Sequence, residues 1–202
     1  MEGLYFYWLA WIAWIWVTFF MDKKKPERIK IAVWLLAAIL AAPIKLSLLY
    51  FEFHLSALAI ALFVFLETWS KKTGSLYFFL SSFIIMLAYT SFLMFELYDP
   101  IWVLFDRSIM LAAIGFYLAL LLHKNRHSRI LSLLAGFLQG EVLFSVILWK
   151  FNFPYAISSL AFMDILILSL AMLGTWSAVE TILVTLSGST TNQVEGEEQK
   201  TT

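Results

Sequence analysis

The basic residues of this 202-residue chain fall almost entirely into every second gap between long apolar runs. Lys23, Lys24, Lys25, Arg28 and Lys30 follow the first run, Lys71 and Lys72 the third, and Lys124, Arg126 and Arg129 the fifth. The intervening gaps hold only Lys45 and Lys150. Lys and Arg are favoured on the cytoplasmic side of a bilayer, so this alternation specifies how a chain threads through a membrane. It also restricts the fold, because a segment crossing hydrocarbon must satisfy its backbone hydrogen bonds internally.

Composition points the same way. Apolar residues make up 62% of the chain and charged residues 14%, against ~45–50% and ~25% in soluble domains. The mean hydropathy is +0.84. A formal net charge of zero gives no global basic field for nucleic acid. The absence of cysteine removes disulfides, thiolate metal sites and cysteine nucleophiles.

A spanning helix needs ~20 mainly apolar residues. Seven such runs are read at 3–21, 29–50, 55–69, 76–95, 101–122, 130–149 and 155–176. The first is not a cleavable signal: Glu2 replaces a basic leader and the lysines come after the apolar run. Residues 29–69 suffice for two crossings and offer two breaks, at Pro43/Lys45 or at Glu52/His54. The second is preferred, with a kink at Pro43; a turn at Pro43 puts Lys45 in the loop instead. Residues 1–186 thus read as an all-α bundle of seven transmembrane helices, amino terminus outside and carboxyl terminus in the cytoplasm. Residues 187–202 are polar, with no face to bury, and read as a disordered tail. Eleven of the fourteen Lys and Arg then lie inside, two outside, and Arg107 within a span.

The threading brings distant polar residues to one depth. At ~1.5 Å per residue, Arg107, Glu141 and Asp164 lie ~9, ~12 and ~13 Å from the outer ends of spans five, six and seven. Thr90 and Ser91 on span four, and Lys45 on span two, fall in the same layer. A charge at mid-bilayer costs ~2.5–3.5 kcal/mol and is expected to face the bundle interior and pair. Arg107 with Glu141 or Asp164 is the natural assignment. Such a layer is either a polar cavity for a small solute or protons, or a buried ion pair that fixes helix register.

Gly136 and Gly140 are one turn apart and allow close approach of another helix, from this chain or from a second copy. Ala37/Ala41 and Ala38/Ala42 have the same spacing. His123 and His127 share a helical spacing but lie among Lys124, Arg126 and Arg129, which disfavours a metal ion; they read as a solvated loop. His54 is alone near the outer surface, and with no histidine at mid-membrane, haem ligation between spans is disfavoured. Span one carries nine aromatic residues, with Trp8, Trp11 and Trp14 along one face as a lipid-facing or packing ridge. Zinc-protease, P-loop and nucleophile-elbow motifs are missing, and span seven has no lysine for a retinal Schiff base. No motif calls for a cofactor.

The opening MEGLYFYWLAW (residues 1–11), the basic DKKKPER (22–28) and the chain length resemble the YphA-like family of small integral membrane proteins from bacilli. The resemblance implies a multi-spanning bacterial plasma-membrane protein, and carries over no catalytic residues. The leading expectation is a non-enzymatic membrane protein that acts by binding, as a partner or an assembly factor, with the lipid bilayer, another membrane protein or a second copy as its partner. The alternative is a small-solute or proton-coupled transporter or channel using the polar layer. A lipid-modifying enzyme using Arg107, Glu141 and Asp164 comes third.

Overall fold

The computed structural model describes residues 2–23, 27–48, 51–70, 76–153 and 155–198. Lys24, Lys25, Lys71, Lys72, Pro154 and Lys200 lie outside the described residues. The chain is mostly helical. Seven α-helices are described: α1 (Leu4–Ile15, continued by a π-helical turn at Trp16–Phe20), α2 (Glu27–Ala41), α3 (Leu55–Ser70), α4 (Leu76–Tyr98), α5 (Arg107–Leu122), α6 (Arg126–Lys150) and α7 (Leu160–Glu198). Three are long and apolar enough to cross a bilayer, over Leu76–Tyr98, Arg126–Lys150 and Leu160–Thr185.

Helix ends follow local chemistry. Asn125 and Asp106 are side-chain caps, accepting hydrogen bonds from His127 N at 3.2 Å and Ser108 N at 2.8 Å. Asp99 does the same for Ile101 N at 3.1 Å, opening a 3-10 turn at Pro100–Trp102. α2 stops at Ala41 because Pro43 lacks an N–H and disfavours helix in the residue before it. The carbonyl of Ala42 accepts instead from Nδ1 of the buried His54, at 2.7 Å, which fixes that imidazole as the Nδ1–H form.

The preference for a single break at Glu52/His54, with a helix merely kinked at Pro43, is therefore corrected. Both breaks are used, the first ending α2 and the second starting α3. Between them runs a hairpin, β1 (Lys45–Leu48) antiparallel to β2 (Phe51–His54), and β2 pairs in parallel with β3 (Ala156–Ile157) just before α7. The all-α expectation misses this small sheet. β1 and β2 alternate apolar with polar residues, Leu46 and Leu48 against Lys45 and Ser47, then Phe51 and Phe53 against Glu52 and His54. That is the period of a strand. α7 also differs from expectation, running to Glu198, beyond residue 187, from which composition predicts an irregular tail. Extending an existing helix needs no new nucleus, so polar sequence can follow apolar sequence in one helix.

α6 is central, packing against α3, α4, α5 and α7, while α1 packs on α2 and α7. Gly136 and Gly140 are spent on α4 of the same chain. A Cβ at Gly136 would lie 2.6 Å from Ile85 Cβ, and one at Gly140 would lie 2.7 Å from Tyr89 Cδ1. The bundle has two unlike ends. The basic end carries the α5–α6 link and the start of α2; the cap end carries the sheet, the α4–α5 link and the starts of α1 and α7.

Candidate functional site

Glu141 lies on α6 nine residues before its cap end, with no exposed surface. Its carboxylate is held by three donors. Tyr89 of α4 donates to Oε1 at 2.5 Å, Tyr155 donates to the same oxygen at 2.8 Å, and the backbone N–H of Ser158 donates to Oε2 at 3.1 Å. Every partner is a donor, which matches an acceptor-only carboxylate. Ser158 adopts the left-handed conformation (φ 60°) that aims its amide inward. Its hydroxyl meets Ser56 Oγ of α3 at 3.0 Å, and Thr90 of α4 donates to the carbonyl of Gly140 at 3.2 Å. Polar groups from α3, α4, α6 and the sheet link therefore meet at one level, directly beneath the small sheet.

Asp164 is buried nearby but serves another purpose. Its Oδ2 accepts from Gly3 N and its Oδ1 from Phe6 N, both at 2.7 Å. These are amides of the first turn of α1, which has no partner within its own helix. Gly3, the residue before α1, carries no side chain to cap it and sits at φ 86°. Asp164 is thus a helix cap supplied from α7, its negative charge placed at the positive end of α1.

Arg107 does not join either carboxylate. It is the first residue of α5, rather than six residues into a span, because Asp106 caps the helix there. Its Nε lies 3.7 Å from Glu96 Oε2 of α4, with both side chains partly exposed. The expected Arg107–Glu141 or Arg107–Asp164 pair is replaced by a peripheral pair and two carboxylates satisfied by neutral donors. Lys45 also leaves the layer, exposed as the first residue of β1. Thr90 stays within it, while Ser91 points out of the bundle.

The model of the family described as YphA-like integral membrane protein matches residues 2–200. The chain belongs to that family. The YphA-like chain is also 26% identical over 152 residues to the uncharacterized protein YphA of Bacillus subtilis (strain 168), covering 74% of each. No solved structure matches it.

The basic end of this YphA-like protein holds a second set of carboxylates, on the same scale as the first. Buried Glu67 of α3 pairs with Lys30 of α2 and lies 3.6 Å from His127 Nε2 of α6. Glu180 of α7 accepts from Arg129 at 2.8 Å and from Trp176 Nε1 at 2.7 Å, with Arg126 at 3.5 Å. The expected solvated loop is corrected at His123. That ring is buried edge-on against Tyr77, centroids 5.2 Å apart, and its carbonyl accepts from Arg129 Nε at 2.7 Å. Burial, and then the Arg129 charge, hold the His123 imidazole below its usual range.

Tyr89, Tyr155, Ser158, Glu67 and Glu180 are not among the site residues expected from the sequence. A signal exists for the tyrosines: a buried phenol needs a partner, and Tyr89 adjoins Thr90, already placed in the layer. For Glu67 and Glu180 the signal is their position near the basic ends of apolar helices, level with the lysine and arginine clusters.

Proposed function

We propose that this protein is a seven-span plasma-membrane protein, amino terminus outside and carboxyl terminus in the cytoplasm, that acts without catalysis by binding within the bilayer. The observation that carries the reading is the Glu141 carboxylate, fully enclosed and met by donors of its own chain. Such a layer favours a register-fixing lock over a conduit. The basic clusters, gathered by Glu67 and Glu180 at one end, support that end as cytoplasmic. α2 and α3, at 15 and 16 residues, give ~22–24 Å each, short of a ~30 Å core. The hairpin beyond them pairs β1 with β2 and joins β3, and its edge strand, with exposed Lys45 and Ser47, suits the polar headgroup region rather than the hydrocarbon core.

The chain has no cysteine, so single cysteines report access without background. In intact cells, a membrane-impermeant thiol reagent should label Lys150→Cys and spare Lys124→Cys; the reverse pattern would overturn the threading. Placed at Ser145, one turn from Glu141 on the same buried face of α6, a cysteine should stay protected; labelling there from the aqueous side would favour a water-filled transporter or channel and sink the sealed lock.

A further inference from the structure

Between α4 and α6, on the cap-end half of the bundle, lies a groove of about 440 Å³. Leu87, Ser91, Met94 and Tyr98 line it from α4, and Leu143 and Ile147 from α6. On each helix these residues recur at three- and four-residue steps, so each wall is a single helical face. The groove begins where the glycines stop. Gly136 and Gly140 draw α6 onto Ile85 and Tyr89, whereas Leu143 and Ile147 carry side chains that fill the helix–helix contact less closely.

Lys150 continues the Leu143–Ile147 face in the last turn of α6. The glycine contacts match residue 136 to 85 and 140 to 89, and the same offset sets Lys150 level with Asp99, the residue after exposed Tyr98 at the end of α4. The nearest acidic side chains are turned away or engaged: Glu96 lies on the opposite face of α4, toward Arg107, and Asp99 caps the turn after α4. Length is matched as well. The eleven residue steps from Leu87 to Tyr98 rise ~16 Å, close to the ~15 Å of one leaflet in a ~30 Å hydrocarbon core.

We propose that this groove is a binding site for one acyl chain of an anionic phospholipid in the outer leaflet, with Lys150 and the Tyr98 hydroxyl receiving its phosphate. Ser91, which the Glu141 layer leaves outside, forms part of the wall. The inference deepens the reading of a protein that binds within the bilayer, and it rests on the proposed threading for the choice of leaflet. Binding itself does not depend on that choice, so the two fail separately.

The test is native mass spectrometry of the detergent-purified full chain, titrated with phosphatidylglycerol and with phosphatidylcholine of the same acyl chains. Wild type is expected to retain phosphatidylglycerol about fivefold better, the scale of one lysine near an anionic headgroup. Lys150→Ala should abolish that preference and leave a residual chain-dependent adduct of both lipids. Ser91→Phe and Leu143→Trp fill the groove from opposite walls, and each should lower both adducts severalfold. Circular dichroism and monodispersity identify which of the two remains folded, and one folded variant suffices. Equal retention of the two lipids by wild type would overturn the proposal. So would adducts unchanged by a folded groove-filling variant, or a preference that survives Lys150→Ala.

Discussion

The two ends of the bundle bury the same chemical group in opposite ways. At the cap end, Glu141 and Asp164 are surrounded by phenols and backbone amides. At the basic end, Glu67 and Glu180 are met by lysine, arginine and histidine. The difference teaches how a chain with few charges distributes them. Where the sequence gathers cations, carboxylates take ionic partners at a partly exposed rim. Away from the cations, a carboxylate is kept only where several neutral donors converge from different elements. The first kind of site ties helix ends together, and the second fixes register and closure.

The comparison predicts unequal responses to mutation. Glu141→Ala should have the largest effect, because three buried donors lose their acceptor at once. About 3–5 kcal/mol of stability is expected to go, visible as a collapse in membrane abundance and a large fall in melting temperature in detergent. Glu141→Gln keeps an acceptor for the tyrosines and should fall between Ala and wild type. If Glu141→Ala is as abundant as wild type, the cap-end lock is not what holds the bundle.

Asp164→Ala removes a cap rather than a lock, so a loss of about 1–3 kcal/mol is expected. Its signature is local: hydrogen exchange at the amides of Gly3 and Phe6 should accelerate far more than exchange in α4 or α6. Uniform acceleration would mean that Asp164 is no cap.

Lys30→Ala tests the other side of the comparison. Lys30 is half exposed, so the pair with Glu67 should contribute at most ~1 kcal/mol. The gap in melting temperature between this variant and wild type should shrink in 0.5 M salt, since ~1 M salt screens charges within ~3 Å. The Glu141 effect should be insensitive to salt, and a common salt response at both ends would erase the distinction drawn here.

The smallest effect is a pH dependence at His123. Its imidazole is held below the usual value by burial and by Arg129, so the unfolded chain binds a proton more readily than the folded one. This contribution to stability is present above about 6.5, the ordinary histidine value, and is lost as pH falls through the lower folded-state value. His127, 3.6 Å from Glu67, is unchanged in a His123 variant. The diagnostic is therefore a difference: His123→Phe should be less destabilised than wild type between pH 7 and pH 5.5. Parallel curves would remove His123 from the account.

The charge alternation made the apolar helices and the depth of Glu141 legible, since both depend only on counting residues between basic gaps. Partner choice was not legible in the same way. Arg107 and Glu141 invite each other by charge, yet Asp106 starts α5 at residue 107 and leaves the arginine at the rim. Nothing local to Tyr155 or Ser158 says that they will reach back across the link to α6, because their placement depends on β3 pairing with β2. The hairpin itself was hidden for a different reason. Its alternating pattern is only four residues long on each side and sits inside a 41-residue stretch whose mean hydropathy suits two spans. The YphA-like resemblance rests on the opening residues and the length, and the family assignment follows from the match over residues 2–200.

The cap on α1 has a consequence for how the protein is made. Gly3 and Phe6 leave the ribosome well before Asp164, which follows Gly3 by 161 positions. At ~5–20 residues per second, those two amides wait roughly 8–30 s for their acceptor. α1 is therefore capped only once the start of α7 has been made, so closing the bundle takes a contact between distant helices and not only the formation of each helix in turn.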